Sequence, residues 1–88
     1  MTTEERRERG TELCRRLSSD VDKAVPRDIG AWSPAWEIVG DADAGFMLAL
    51  LKWESTGSEA DKAALRAAYA KVLSMWRRAL AAWEAVKA

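Results

Sequence analysis

Cys14 is the one residue in this sequence with strong intrinsic nucleophilicity. A thiol acts as a nucleophile or redox group when a neighbouring base holds it as the thiolate, and histidine is the usual base. The chain has one Cys and no His, so Cys14, three positions before Leu17, reads as a small packed side chain. The same count removes Cys/His zinc sites and an internal disulfide. Asp41 and Asp43, in the run Asp41-Ala42-Asp43-Ala44-Gly45, invite a calcium-loop reading. An EF-hand loop starting at Asp41 needs Gly at its sixth position and a bidentate acid at its twelfth, where this chain has Phe46 and Lys52. Both aspartates read instead as helix caps. General acid–base work would fall to carboxylates, lysines or Tyr69, none of them paired beyond ordinary surface spacing. No Gly-rich phosphate loop is present. The chain is also short for a cleft that encloses a substrate, since ligand pockets typically occupy ~300–1,000 Å³. The sequence therefore predicts no catalytic residue, no metal ligand and no cofactor, and the chain reads as a non-enzyme.

Tryptophan offers a different chemistry. Trp32, Trp36, Trp53, Trp76 and Trp83 each carry a large apolar surface and an N–H that needs a partner when buried. In a small domain Trp36, Trp53 and Trp76 read first as core. Trp83 sits near the far end of a long helical pattern, where the sequence supplies little to cover it. A partner-binding set of Tyr69, Trp76, Trp83 and Val86 follows, because interfaces favour aromatic anchors.

The elements that position these residues are helical. Ala, Leu, Glu, Arg and Lys dominate, β-branched residues do not cluster, and no period-2 alternation is sustained. Leu13, Leu17, Val21 and Ala24 share one face of a first helix, which starts at Thr3 or Thr11 and ends before Pro26. Glu5–Arg9 and Glu12–Arg16 are i,i+4 pairs in the favourable order. Residues 2–10 have no apolar side chain to bury, so residues 1–10 are free to fray. Ser33-Pro34 predicts a cap and a short helix over 34–39, closed by Gly40. A helix over 42–55 follows, capped by Asp41 or Asp43, and its run Phe46–Leu51 is apolar on every side. That pattern predicts a buried centre, packed between the first and last helices. Gly57 suits a left-handed helix stop, and Ser58 with Asp61 resembles a capping box opening a helix over 59–87. Along that helix Leu65, Val72, Ala79 and Val86 alternate with Tyr69, Trp76 and Trp83 in 4-3-4-3 spacing, with Leu73 and Leu80 on its flank. The predicted fold is all-α: one domain over 1–88, an antiparallel bundle of three main helices and one short helix, with a long C-terminal helix.

Composition bounds the function. The 88 residues carry 14 Lys+Arg and 14 Asp+Glu, with 49% hydrophobic residues, the balance of a folded chain. Residues 26–57 hold two basic and five acidic groups, and residues 58–88 hold six basic and three acidic. Arg66, Lys71, Arg77 and Arg78 project opposite the Trp seam and are candidates for salt-sensitive contact with nucleic acid. Their alternative is a solvated outer face. The same helix could lie on a membrane surface, but its apolar side already has a destination within the chain. No run is long enough to cross a bilayer. The charged start lacks the apolar stretch of a signal peptide, so the cytoplasm is the default. The Ala-, Arg- and Trp-rich usage suits a high-GC bacterium or its phage. The leading reading is a non-catalytic protein-interaction module, an adaptor, inhibitor or accessory subunit. Its partner is an unidentified protein or a second copy, joined through the Trp-rich C-terminal helix. The alternative is a nucleic-acid-associated protein.

Overall fold

Three helices carry almost all of the chain in the computed structural model, which describes residues 1–88. They are α1 (Thr3–Ala24), α2 (Ser33–Thr56) and α3 (Glu59–Lys87), with one 3-10 turn at Arg27–Ala31 between α1 and α2. No strand occurs, and the fold is an all-α bundle, as residue usage and helical periodicity predict.

Helix α1 starts at Thr3 because the preceding residue builds a reciprocal cap. The Glu5 amide donates to Thr2 Oγ1 at 3.1 Å, and the Thr2 amide donates to Glu5 Oε1 at 3.2 Å. Hydrogen bonds from the Thr2 backbone and hydroxyl hold the Glu5 carboxyl below its usual range. Glu5 is thus occupied in the cap instead of pairing with Arg9. Glu12 meets Arg15 at 3.5 Å, one residue short of the predicted Arg16. At the other end Val25 adopts extended backbone ahead of Pro26.

The segment 33–56 corrects the sequence reading. It forms one continuous helix, with Gly40, Asp41, Asp43 and Gly45 in its interior, where two helices with a break at Gly40 are predicted. A glycine inside a helix costs roughly 1 kcal/mol. Against this stands an unbroken inward row of Ala35, Val39, Ala42, Phe46, Leu50 and Trp53, all buried, and burial of one large side chain alone is worth ~1.5–3 kcal/mol. Asp41 and Asp43 are exposed and lie inside the helix, where they cap nothing. The short element of the fold is the 3-10 turn, where Ile29 is almost fully buried. Ser33 and Pro34 do open α2, but Trp32 holds the cap position and makes no side-chain cap.

Helices α2 and α3 form an antiparallel hairpin about Gly57, whose φ of +63° is the left-handed conformation that glycine adopts without strain. Ser58 Oγ accepts the Asp61 amide at 3.1 Å, capping α3. The Asp61 carboxylate turns instead to the Thr56 hydroxyl, across the hairpin. Helix α1 lies along this hairpin and touches both of its helices about equally. Helix α2 is therefore one of three mutually packed rods, not a centre enclosed by the other two. Near the hairpin turn, α1 is tied by Arg6 Nε donating to the Glu54 carbonyl at 2.9 Å. Gly10 permits the close approach, since a Cβ there would lie 2.2 Å from Glu54 Oε1 and 3.1 Å from Leu50 Cδ1. The bundle measures 50 × 19 × 16 Å.

Candidate functional site

Helix α3 presents the predicted seam, but the bundle uses most of it. Leu65, Val72, Trp76 and Ala79 are buried, and Tyr69, Leu73, Leu80 and Trp83 pack partly against them. The Trp76 ring meets that of Trp36 edge-on, with centroids 5.1 Å apart at 84°. The Tyr69 and Phe46 rings pack in a T-shaped pair, 6.1 Å apart at 69°, and the Tyr69 hydroxyl donates to the Asp20 carboxylate. Burial, then the bond to Asp20, pushes the phenol up to about 12. Trp76 thus serves the core, whereas Tyr69 is only partly buried and also lines a groove between α1 and α3. Trp83 is partly buried, and the Lys87 ammonium sits 4.0 Å from its ring centroid, a cation–π contact. Only Val86 of the four is fully open, at 71% exposure. Trp36 moves the other way. Predicted as core, it is 49% exposed, with its indole N–H donating to the Gly30 carbonyl at 2.9 Å.

The larger apolar surface lies on α2, where the sequence predicts a buried centre. Met47, Leu48 and Leu51 are 45%, 69% and 57% exposed. With Ala44 they follow the i, i+3, i+4, i+7 positions of a single helical stripe. Gly40, one turn before Ala44, and Ser55, one turn after Leu51, extend the line. The run 46–51 is apolar all round because α2 carries two apolar faces, one for the core and one turned outward. The signal for this was in the sequence, as two interleaved stripes at helical spacing.

The predicted basic face of α3 divides. At 100° per residue, Arg66 and Arg77 lie about 20° apart, as do Lys71 and Arg78, while the two pairs are separated by roughly 120°. All four are exposed, but they form two lines, not one track for a phosphate backbone. Arg66 lines a groove between α1 and α3 that also receives Arg9, Arg16 and Lys62. Sequence reasoning missed this cluster because its members come from two helices.

The remaining groups are quiet. Burial, then the nearby Glu54 and Asp43 carboxylates, raises the Cys14 thiol above its ordinary value, the opposite of what a reactive thiolate requires. No three Cys, Asp or Glu side chains converge as a metal site. No helix is long and apolar enough to cross a membrane. Comparison with known proteins returns no matching family model, no matching curated protein and no matching solved structure.

Proposed function

We propose that this chain is a non-catalytic protein-interaction module that pairs with a second copy of itself through the outward face of α2. One observation carries the reading: Met47, Leu48 and Leu51 stand exposed in one stripe, on a helix whose other apolar face is already buried. Contiguous apolar surface of this kind marks docking sites on soluble domains. The flank of the stripe favours a second copy. Asp41 and Lys52 are eleven residues apart, hence within about 20° of each other around the helix. In an antiparallel pair related by a two-fold axis, like flanks meet like. An axis near residues 46–47 then sets Asp41 of each copy beside Lys52 of the other, and both residues are exposed. Lys52 is 71% exposed and meets its own chain only through Asp61, at 3.7 Å. The same axis brings Leu48 and Leu51 over the small Ala44 and Gly40 of the second copy, large against small. Val86 and the Trp83 edge form a lesser apolar patch at the other end of α3.

The stripe covers about three turns, so it offers less than the ~800 Å² per partner of a standard interface, and the pair is expected at micromolar concentrations. Light scattering across a concentration series tests this. The wild type should move from one to two chains, and Leu48→Arg should remain a monomer with unchanged helix content. Asp41→Lys alone should weaken pairing, and the exchange Asp41→Lys with Lys52→Asp should restore it. A wild type that stays monomeric at hundreds of micromolar overturns the reading.

A further inference from the structure

Across the bundle from the outward face of α2, helices α1 and α3 border a groove of about 860 Å³. Its floor is apolar, formed by Leu13, Leu65 and the Trp53 ring that α2 supplies from beneath. Four cations line it, Arg9 and Arg16 from α1 and Lys62 and Arg66 from α3. None of the four has a carboxylate within salt-bridge distance, since the ion pairs of the molecule lie elsewhere, at Glu12–Arg15, Asp22–Arg27 and Lys52–Asp61. The two acids of the groove are already engaged, Glu12 by Arg15 and Asp20 by the Tyr69 hydroxyl. Four basic groups gathered from two separate helices over an apolar floor, against two carboxylates already engaged elsewhere, make a surface complementary to an amphipathic anion.

We infer that this groove docks an acidic amphipathic helix from a partner protein. Arg9 and Arg16 are seven residues apart, about 10.5 Å along α1, and Lys62 and Arg66 four apart, about 6 Å along α3. That track matches two turns of a ligand helix with one carboxylate per turn on each flank. Its Leu-like side chains, at i, i+3 or i+4 and i+7, reach the floor between Leu13 and Leu65. A nucleic acid fits less well. A single strand stacks its bases on open aromatic faces, whereas the Trp53 ring in the floor is only 7% exposed and Tyr69 is packed partly against the core. A continuous line of phosphates would also meet Glu12 and Asp20, which spaced carboxylates avoid. The inference extends the interaction-module reading to a different surface and stands whether or not the chain pairs through α2.

Fluorescence anisotropy with a labelled 18-residue Glu/Leu amphipathic peptide tests it, at low and at high salt, beside the Gln/Leu peptide of the same pattern and a single-stranded DNA. The acidic peptide should bind at low salt and weaken at high salt, with the Gln peptide at least tenfold weaker. Arg9→Glu and Arg66→Glu should each weaken binding about fivefold. Lys71→Glu and Arg78→Glu, on another side of α3, should leave it unchanged, all four variants keeping the wild-type helical circular dichroism. Absence of binding at low salt, equal loss with Lys71→Glu, or tighter binding of DNA than of peptide each overturns the inference. Leu48→Arg separates the two readings, because it should abolish pairing and leave peptide affinity intact.

Discussion

Helix α2 has two apolar faces, and they have different fates. The inward row from Ala35 to Trp53 is sealed by α1 and α3, with Phe46 and Val39 almost fully buried. The outward row of Ala44, Met47, Leu48 and Leu51 uses equally apolar residues and has no neighbour in the chain. What differs is geometry: each rod of a three-helix bundle has only two neighbours, so about half of its circumference faces solvent. An all-apolar helix run in so small a bundle therefore signals two surfaces, where in a larger protein it signals a centre. Truncating one residue on each face gives the sharpest contrast. Phe46→Ala should cost about 3–5 kcal/mol by chemical denaturation, enough to unfold much of a domain of this size. Leu48→Ala should change monomer stability by less than about 0.5 kcal/mol. Similar losses at the two positions would break the distinction between the faces.

The hairpin turn fixes which face of α2 meets α3, so it carries the next effect. Gly57→Ala would place a Cβ on a left-handed residue, at about 1–2 kcal/mol, and 2.8 Å from Arg6 Nη1. Arg6 is the tie between α1 and the end of α2, so that end should also loosen, read as faster amide exchange near Glu54. Unchanged stability would mean that the turn does not set the register.

Much of this was legible in residues alone. Helix type, the Pro26 stop, the Gly57 turn, the Ser58 cap and the α3 seam each follow from a local signal. The continuity of α2 did not, because Gly40 and Gly45 read as breaks while the row that overrides them gains its energy only once α3 is in place. The exposure of Trp36 and the enclosure of Tyr69 were hidden for the same reason, whereas Trp76 read first as core and is buried. Each depends on a neighbour from another element, Gly30, Asp20 or Phe46, that no spacing within one helix announces. The basic groove is the extreme case, with two cations on each of two helices more than forty residues apart.

Alkaline pH probes the inward side by another route. The Tyr69 phenol rises from its usual 10.0 to about 12 in the folded chain, so between those values the unfolded chain loses its proton first. Stability conferred by the neutral phenol is full below pH 10 and falls as pH climbs toward 12. Tyr69→Phe should lower stability at neutral pH by about 1 kcal/mol, the size of one hydrogen bond, and flatten the alkaline slope. A slope that persists in Tyr69→Phe would assign it to other groups.

The smallest effects discriminate most finely between stability and association. Gly40 and Gly45 both lie inside α2, and a Cβ at either would meet nothing within 4 Å in the single chain. Replacing each with Ala should therefore stabilise the monomer by about 0.5–1 kcal/mol, through helix propensity alone. The two positions differ in where they point. Gly40 continues the outward stripe, whereas Gly45 lies 140° farther round the helix, outside it. If the stripe pairs with a second copy, Gly40→Ala fills the space that Leu51 of that copy enters, so it should raise the melting temperature while weakening the dimer. Gly45→Ala should raise the melting temperature and leave the dimer as it is. Equal behaviour of the two variants in light scattering would show that small residues on this face owe nothing to a partner.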